Sequence, residues 1–241
     1  MDQKIMKGLF ITGTDTGVGK TVVAGAIAAY LRSKGKSVGV MKPVETGCRE
    51  NGDGLVPSDA TFLKKASGST DILGAICPYC FAEPLAPAVA AQRAGKTIDP
   101  KFIRKVYRAI ARGCETVIVE GAGGLMVPIN GKYTYLDLAA ELGLPVVIVG
   151  RAGLGTLNHT LLTLEAARSR GLDISGIILN HDRRGNSGLA EKTNPEVLRE
   201  LAGAERVYTL KYAPSVKGSQ KALAGLGGEL SRQGFFGLTK K

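Results

Sequence analysis

Nine residues near the amino terminus, Gly13-Thr14-Asp15-Thr16-Gly17-Val18-Gly19-Lys20-Thr21, combine the parts that a bound phosphate requires. Gly17 and Gly19 free the backbone to turn N–H groups toward an anion, Lys20 supplies a cation, and Thr21 supplies a hydroxyl suited to Mg²⁺. The usual form of such a loop is G-x-x-x-x-G-K-[ST]. Here five residues rather than four separate Gly13 from Gly19, and Thr14 stands at the expected glycine. The added residue widens the front of the loop and leaves Gly19-Lys20-Thr21 in place, so nucleotide binding is the expectation.

Other segments could act on what the loop holds. "MKPVETG" puts Lys42 at the end of an apolar run, expected on a strand adjacent to the first, with Pro43 fixing an extended exit. A lysine there can contact a transferred phosphoryl group or an anionic substrate. Glu120-Gly121-Ala122-Gly123-Gly124 follows a second apolar run. Its carboxylate can hold Mg²⁺ directly or through water, while the bare backbone behind it approaches phosphate or substrate. Asp59 in "PSDA" offers a second carboxylate, or with Ser58 a cap for the next helix. Cys77-Pro78-Tyr79-Cys80 has the form of a redox dithiol, but that motif needs a helix starting at its first cysteine, and Pro84 and Pro87 break any helix here. With no second cysteine pair at ligand spacing and only His159 and His181 as histidines, a zinc site is not expected either.

The elements that must position these groups follow from periodicity. Gly8 to Thr12 reads as a buried strand feeding the glycine loop. Val22, Val23, Ala26, Ile27, Tyr30 and Leu31 repeat at helical spacing from Gly19 to Ser33, and Gly35 closes that helix. Further strands are expected at Ser37 to Met41, Thr116 to Val119, Pro145 to Val149 and Ile174 to Leu179, each leading into a polar turn and a helical pattern. Near-continuous β-branched runs alternating with helices imply an α/β fold: a mostly parallel sheet flanked by helices on both faces, as in P-loop NTPases. Ligands bind beyond the carboxyl ends of such strands. Glu45 to Ser58, rich in Gly and polar residues, reads as a mobile loop.

The 241 residues suit a single domain spanning 1–241, with 44 % hydrophobic and only 5 % aromatic residues, an aliphatic core. A net charge of +11 raises nucleic-acid binding, yet Lys64-Lys65, Arg183-Arg184 and Lys240-Lys241 are short and scattered, so neither nucleic acid nor membrane is an expected partner. No segment reaches a membrane span, and the charged start "MDQKIMKGLFITG" is not a signal peptide, so a cytoplasmic protein with reduced cysteines is expected. The tail "GELSRQGFFGLTKK" is expected to pack Phe235 and Phe236 onto the domain rather than anchor in lipid.

Taken together, "GTDTGVGKT", "MKPVETG", "PSDA", "PYCFAEPLAPAVAA", "VIVEGAGGLMVPI", "LDLAAELGLPVVIVGRAGLGTLNHTLLT" and "GIILN" resemble the dethiobiotin synthetase family, in family order over most of residues 8 to 180. The displaced first glycine is the family's own form. The resemblance implies an enzyme that uses ATP and Mg²⁺ to join CO2 to 7,8-diaminopelargonate and close a cyclic urea. It implies Lys20 and Lys42 as catalytic groups, and Thr21, Asp59 and Glu120 around the metal. Gly17, Val18, Gly19, Gly121, Ala122 and Gly123 would line the nucleotide, with Asn180, His181 and the segment Ala213, Pro214 and Ser215 toward adenine. Substrate would meet Thr14, Lys42, Thr46 and Gly123. The helix start at Gly155, Thr156 and Asn158 would receive its carboxylate from the neighbouring subunit of a homodimer. Gly17 replaces a glutamate carried by some members, so any role for that acid is absent.

A partitioning ATPase is the alternative. It would carry a lysine early in the loop, where this chain has Thr14, Asp15 and Thr16. A ligase of the cobyrinate type would need a glutaminase domain, for which the chain is too short.

Overall fold

Every apolar run expected to form a buried strand does so. The computed structural model describes residues 8–52, 54–181, 188–203, 206–212 and 219–237. The chain runs β1 (Gly8–Gly13), α1 (Lys20–Ser33), β2 (Val38–Met41), β3 (Val44–Thr46), β4 (Arg49–Asn51), β5 (Gly54–Val56), α2 (Ser58–Ser67), α3 (Leu73–Ile76) and β6 (Tyr79–Phe81). It continues through α4 (Pro87–Arg93), α5 (Pro100–Arg112), β7 (Thr116–Glu120), β8 (Pro128–Asn130), β9 (Tyr133–Thr134), α6 (Tyr135–Leu142) and β10 (Val146–Arg151). The last elements are α7 (Thr156–Ser169), β11 (Ile174–Asn180), α8 (Leu189–Ala202), β12 (Val207–Leu210), α9 (Gln220–Arg232) and a 3₁₀ turn at Phe235–Gly237.

Among the described residues, six strands form one parallel sheet in the order β12-β11-β10-β1-β7-β2. Side chains alternate between two cores as a strand's period of two requires. Leu9, Ile11, Ile118, Val147 and Val149 face α1, α2 and α9, whereas Phe10, Val117, Val119, Val146 and Ile148 face α5, α6, α7 and α8. Both faces are therefore dry, and the chemistry is left to the strands' carboxyl ends.

The structure corrects three expectations. β2 is not adjacent to β1, because β7 inserts between them, pairing Phe10 with Val119 on one side and Met41 with Val119 on the other. Sequence order alone does not reveal such a crossover, since a parallel connection need not join neighbours. The Glu45 to Ser58 stretch is not a featureless loop. β3 pairs with β6, and β4 with β5, through three-residue strands too short to leave a periodic signal. Pro87 does not exclude a helix but opens one as the first residue of α4, where its missing N–H is not needed.

The aromatic tail closes the fold. Phe235 is buried, edge-on to Tyr208, and Phe236 stacks on Tyr30 at a centroid distance of 4.7 Å. Among the described residues no helix is long and apolar enough to cross a membrane.

Candidate active site

β1 delivers its carboxyl end into the glycine loop, and α1 begins at Lys20. Gly19 has φ 97°, a left-handed conformation, and a Cβ on it would lie 2.1 Å from the amide nitrogen of Asn180. Only glycine suits both conditions. Asn180, at the end of β11, donates from Nδ2 to the carbonyl of Val18 at 3.0 Å, so it holds the loop from below. Lys20 Nζ donates to the Asp15 carbonyl at 2.8 Å inside its own loop. Burial, reinforced by the Lys42 charge, lowers the Lys20 pKa to about 8.

Lys42 leaves the end of β2 and is 3 % exposed. Its ammonium donates to Glu120 Oε1 at 2.6 Å and to Asp59 Oδ2 at 2.9 Å, reaching past the end of β7. Burial alone would lower its pKa, but the two carboxylates outweigh burial and hold it above the ordinary lysine range. Glu120 Oε1 also accepts from Thr21 Oγ1 at 2.8 Å. Burial pushes the Glu120 carboxyl above its usual range, with Lys42 and Thr21 pulling it back.

The structure thus brings Lys20, Thr21, Lys42, Asp59 and Glu120 to one cleft of about 620 Å³, together with Gly17, Gly19, Thr46, Ala122 and Gly123. Val18 lies buried beneath the loop, and the Gly121 carbonyl is 3.4 Å from Lys42 Nζ. Thr14 lines a neighbouring depression with Gly123, Met126 and Leu162. Gly155, Thr156 and Asn158 do not line the cleft; they open α7 on the surface, with Thr156 buried and Gly155 at φ 90°. His181 closes β11 by donating its N–H to the Leu210 carbonyl. Ala213, Pro214 and Ser215 lie outside the described residues.

Glu120 Oε2 is buried and has no hydrogen-bond partner among the described residues. An orphaned buried carboxylate oxygen is costly unless something satisfies it. It faces a site with a second carboxylate and a hydroxyl, the oxygen donor set that suits Mg²⁺ bound together with phosphates. The residues present therefore fit that ion.

The comparisons with known proteins bear on family and fold. A family model described as an AAA domain matches residues 7–220. The ATP-dependent dethiobiotin synthetase BioD of Anaeromyxobacter dehalogenans (strain 2CP-C) is 46 % identical over 218 residues, covering 90 % of this chain and 96 % of that protein. The chain belongs to the dethiobiotin synthetase family. The protein of the same name from Aquifex aeolicus (strain VF5) is 45 % identical over 197 residues, covering 81 % of this chain and 84 % of that protein. Among solved structures, that of apo McdA from Cyanthece overlays with a TM-score of 0.53 at 14 % identity, covering 98 % and 96 % of the two chains, a likeness of fold. As a dethiobiotin synthetase, the chain is an ATP-dependent ligase of biotin biosynthesis, which sets aside the partitioning alternative.

Sequence reasoning missed two residues of this candidate site. Glu45 lines the cleft and accepts hydrogen bonds at the start of α2; "KPVETG" drew attention to its lysine and threonine. Arg151, at the end of β10, donates to the Thr16 carbonyl at 3.2 Å and sits 3.8 Å from Asp15, over the widened front of the loop. An arginine ending an apolar strand beyond a glycine loop is the signal that could have found it.

Proposed function

We propose that this single-domain enzyme converts 7,8-diaminopelargonate, CO2 and MgATP to dethiobiotin, ADP and phosphate, with the chemistry centred on Lys42. The observation that carries the proposal is the Lys42 ammonium, buried and kept charged between Glu120 and Asp59 beside the start of α1. One substrate amine takes up CO2 as a carbamate. A carbamate oxygen attacks the γ-phosphate and releases ADP, and the second amine displaces phosphate to close the ring. Each step gathers negative charge on oxygen near one point, so a fixed cation and aligned N–H groups do most of what is required, and no histidine base is needed.

In this reading Lys20 and the backbone of Gly17 to Thr21 bind the phosphates. Lys42 steadies the carbamate and the transferred phosphoryl group. Thr21, Asp59 and Glu120 would hold Mg²⁺, which supplies neutralisation of phosphate charge. Thr46, Thr14 and Gly123 border the substrate, and Asn180 with His181 borders the base. We also infer a homodimer working in the cytoplasm. Leu154, Leu162 and Met126 are 96 %, 62 % and 64 % exposed, and two of them rim the depression that contains Thr14. A second copy covering them would bring the start of the partner's α7, with the N–H groups of its first turn, toward a substrate carboxylate.

The test is fixation of label from bicarbonate into an acid-stable product with diaminopelargonate and MgATP. Lys42→Ala should still bind nucleotide yet lose at least about 100-fold in kcat, the scale of losing one positioned charge donor. Undiminished turnover would remove Lys42 from the mechanism.

A further inference from the structure

Helix α2 begins without a cap of its own. Its N-cap residue is Pro57, whose side chain has no acceptor, and no side chain within the turn takes the first N–H groups. They are taken from outside. Glu45, 4 % exposed on β3, accepts from the Asp59 N–H at 2.9 Å and the Ser58 hydroxyl at 3.2 Å through Oε1, and from the Ala60 N–H at 3.0 Å through Oε2. Both oxygens are engaged, so the carboxylate cannot swing into the cleft it borders. Its own place is set by the β3–β6 pairing, in which Glu45 stands opposite Cys80.

The second residue of α2 is Asp59, whose carboxylate reaches Lys42 Nζ at 2.9 Å. Unlike Glu120, Asp59 is partly exposed, with 39 % of its side chain open to solvent. Burial therefore does not fix its aim; the Lys42 ammonium and the orientation of the first turn of α2 do so together. We propose that Glu45 is a positioning residue for the phosphoryl-transfer step: by gripping the first turn of α2 from the β3–β6 sheet, it fixes the backbone of Asp59 and so the direction of its carboxylate. Glu45 also fills a helix start that would otherwise attract phosphate, leaving the start of α1 to the nucleotide. The inference rests on the reading of Asp59 as a metal-site carboxylate.

The test uses the full-length protein with ADP and measures Mn²⁺ affinity directly, from the loss of the free-ion electron paramagnetic resonance signal, for Asp59→Asn, Glu45→Ala, Glu45→Gln and the Glu45→Ala/Asp59→Asn pair. Residues that orient metal ligands typically contribute about 10-fold or more to affinity. Glu45→Ala is expected to weaken Mn²⁺ binding roughly 10-fold, in common with Asp59→Asn, and Glu45→Gln, which keeps one oxygen for the helix, to recover part of it. The double variant should bind no more weakly than Asp59→Asn alone, because Glu45 acts through Asp59. In turnover, Glu45→Ala should lower kcat far more than it raises KM for diaminopelargonate. Wild-type Mn²⁺ affinity in a folded Glu45→Ala protein, or a Glu45→Ala effect that persists in full on the Asp59→Asn background, would overturn the inference. If Glu45→Ala does not fold, Glu45→Gln alone decides, since wild-type affinity there also overturns it. An unchanged affinity in Asp59→Asn would instead refute the metal role of Asp59 itself, and this inference with it.

Discussion

The loop lysine should destabilise the ligand-free protein, and replacing it should show this. Lys20 is 6 % exposed, and burial with the neighbouring Lys42 lowers its pKa from 10.5 to about 8. At about 1.4 kcal/mol per tenfold change in proton affinity, holding Lys20 charged at pH 7 costs the fold about 3 kcal/mol. Lys20→Met keeps the length and the packing and removes the charge. It also removes the hydrogen bond from Nζ to the Asp15 carbonyl, a loss of about 1 kcal/mol. The net gain is about 2 kcal/mol, a rise in Tm of about 4–8 °C for a chain of this size, with loss of ATP binding. The sign with pH is specific. Between pH 8 and 10.5 the unfolded chain keeps a proton that the folded chain has shed, so wild-type stability rises through that window relative to the variant. Melting both proteins by circular dichroism from pH 7 to 10.5 should show a gap that is full below pH 8 and closes above it. A variant that melts below wild type at pH 7, or a gap that does not change with pH, would refute the electrostatic reasoning.

Three other outcomes follow from named contacts. Gly19→Ala forces a side chain into left-handed φ, at about 1–2 kcal/mol, and into the Asn180 amide, so ATP affinity by calorimetry should fall more than about 10-fold, with Asn180→Ala recovering part of it. Leu154→Asp with Leu162→Asp should leave the fold intact, both side chains being exposed, and shift the proposed dimer to monomer in sedimentation; an unchanged dimer would place the interface elsewhere. Phe235→Ala empties a buried site against Tyr208 and should cost about 3 kcal/mol in urea unfolding; an unchanged midpoint would show that the tail does not contribute to stability.

What could be read from the sequence follows from how local each signal is. Leu9-Phe10-Ile11 and Val147-Ile148-Val149 are apolar on both faces of their strands, which only a sheet covered on both sides accommodates, so the layered fold was legible. Gly19-Lys20-Thr21 was legible for a similar reason, since strand, turn and helix start all lie within a few residues. The order of strands was not. Whether β7 or β2 lies beside β1 depends on how the crossovers stack, and no residue in β2 encodes its neighbour. Glu45 was hidden for the same physical reason: it caps a helix that starts thirteen residues later in the chain, and the usual sign of a cap is an acceptor within the first turn. Asp59 alone was a weak sign of a ligand, since with Ser58 it could also cap the helix; in the structure Glu45 takes the N–H groups of that helix start and the Asp59 carboxylate meets Lys42.

The misplaced strand order carries the deeper lesson about the site. With β7 between β1 and β2, Glu120 stands between the two lysine-bearing elements, and Lys42 meets its carboxylate at 2.6 Å. The two ammonium groups, Lys20 and Lys42, thereby share one cleft with the carboxylates of Asp59 and Glu120, while a third, Glu45, is turned to the start of α2. A cluster with no excess of positive charge has little net attraction for a bare nucleotide tetra-anion, because phosphate would meet carboxylates as well as lysines. It does suit an ATP that arrives with its divalent cation, since the carboxylates then face metal charge while the lysines face phosphate. Had β2 and β1 been neighbours, the two lysines could have converged without an acid between them, and such a cleft would bind phosphate without discriminating the metal-bound form. Under the proposed function, the inserted strand favours a metal-nucleotide complex over a bare anion.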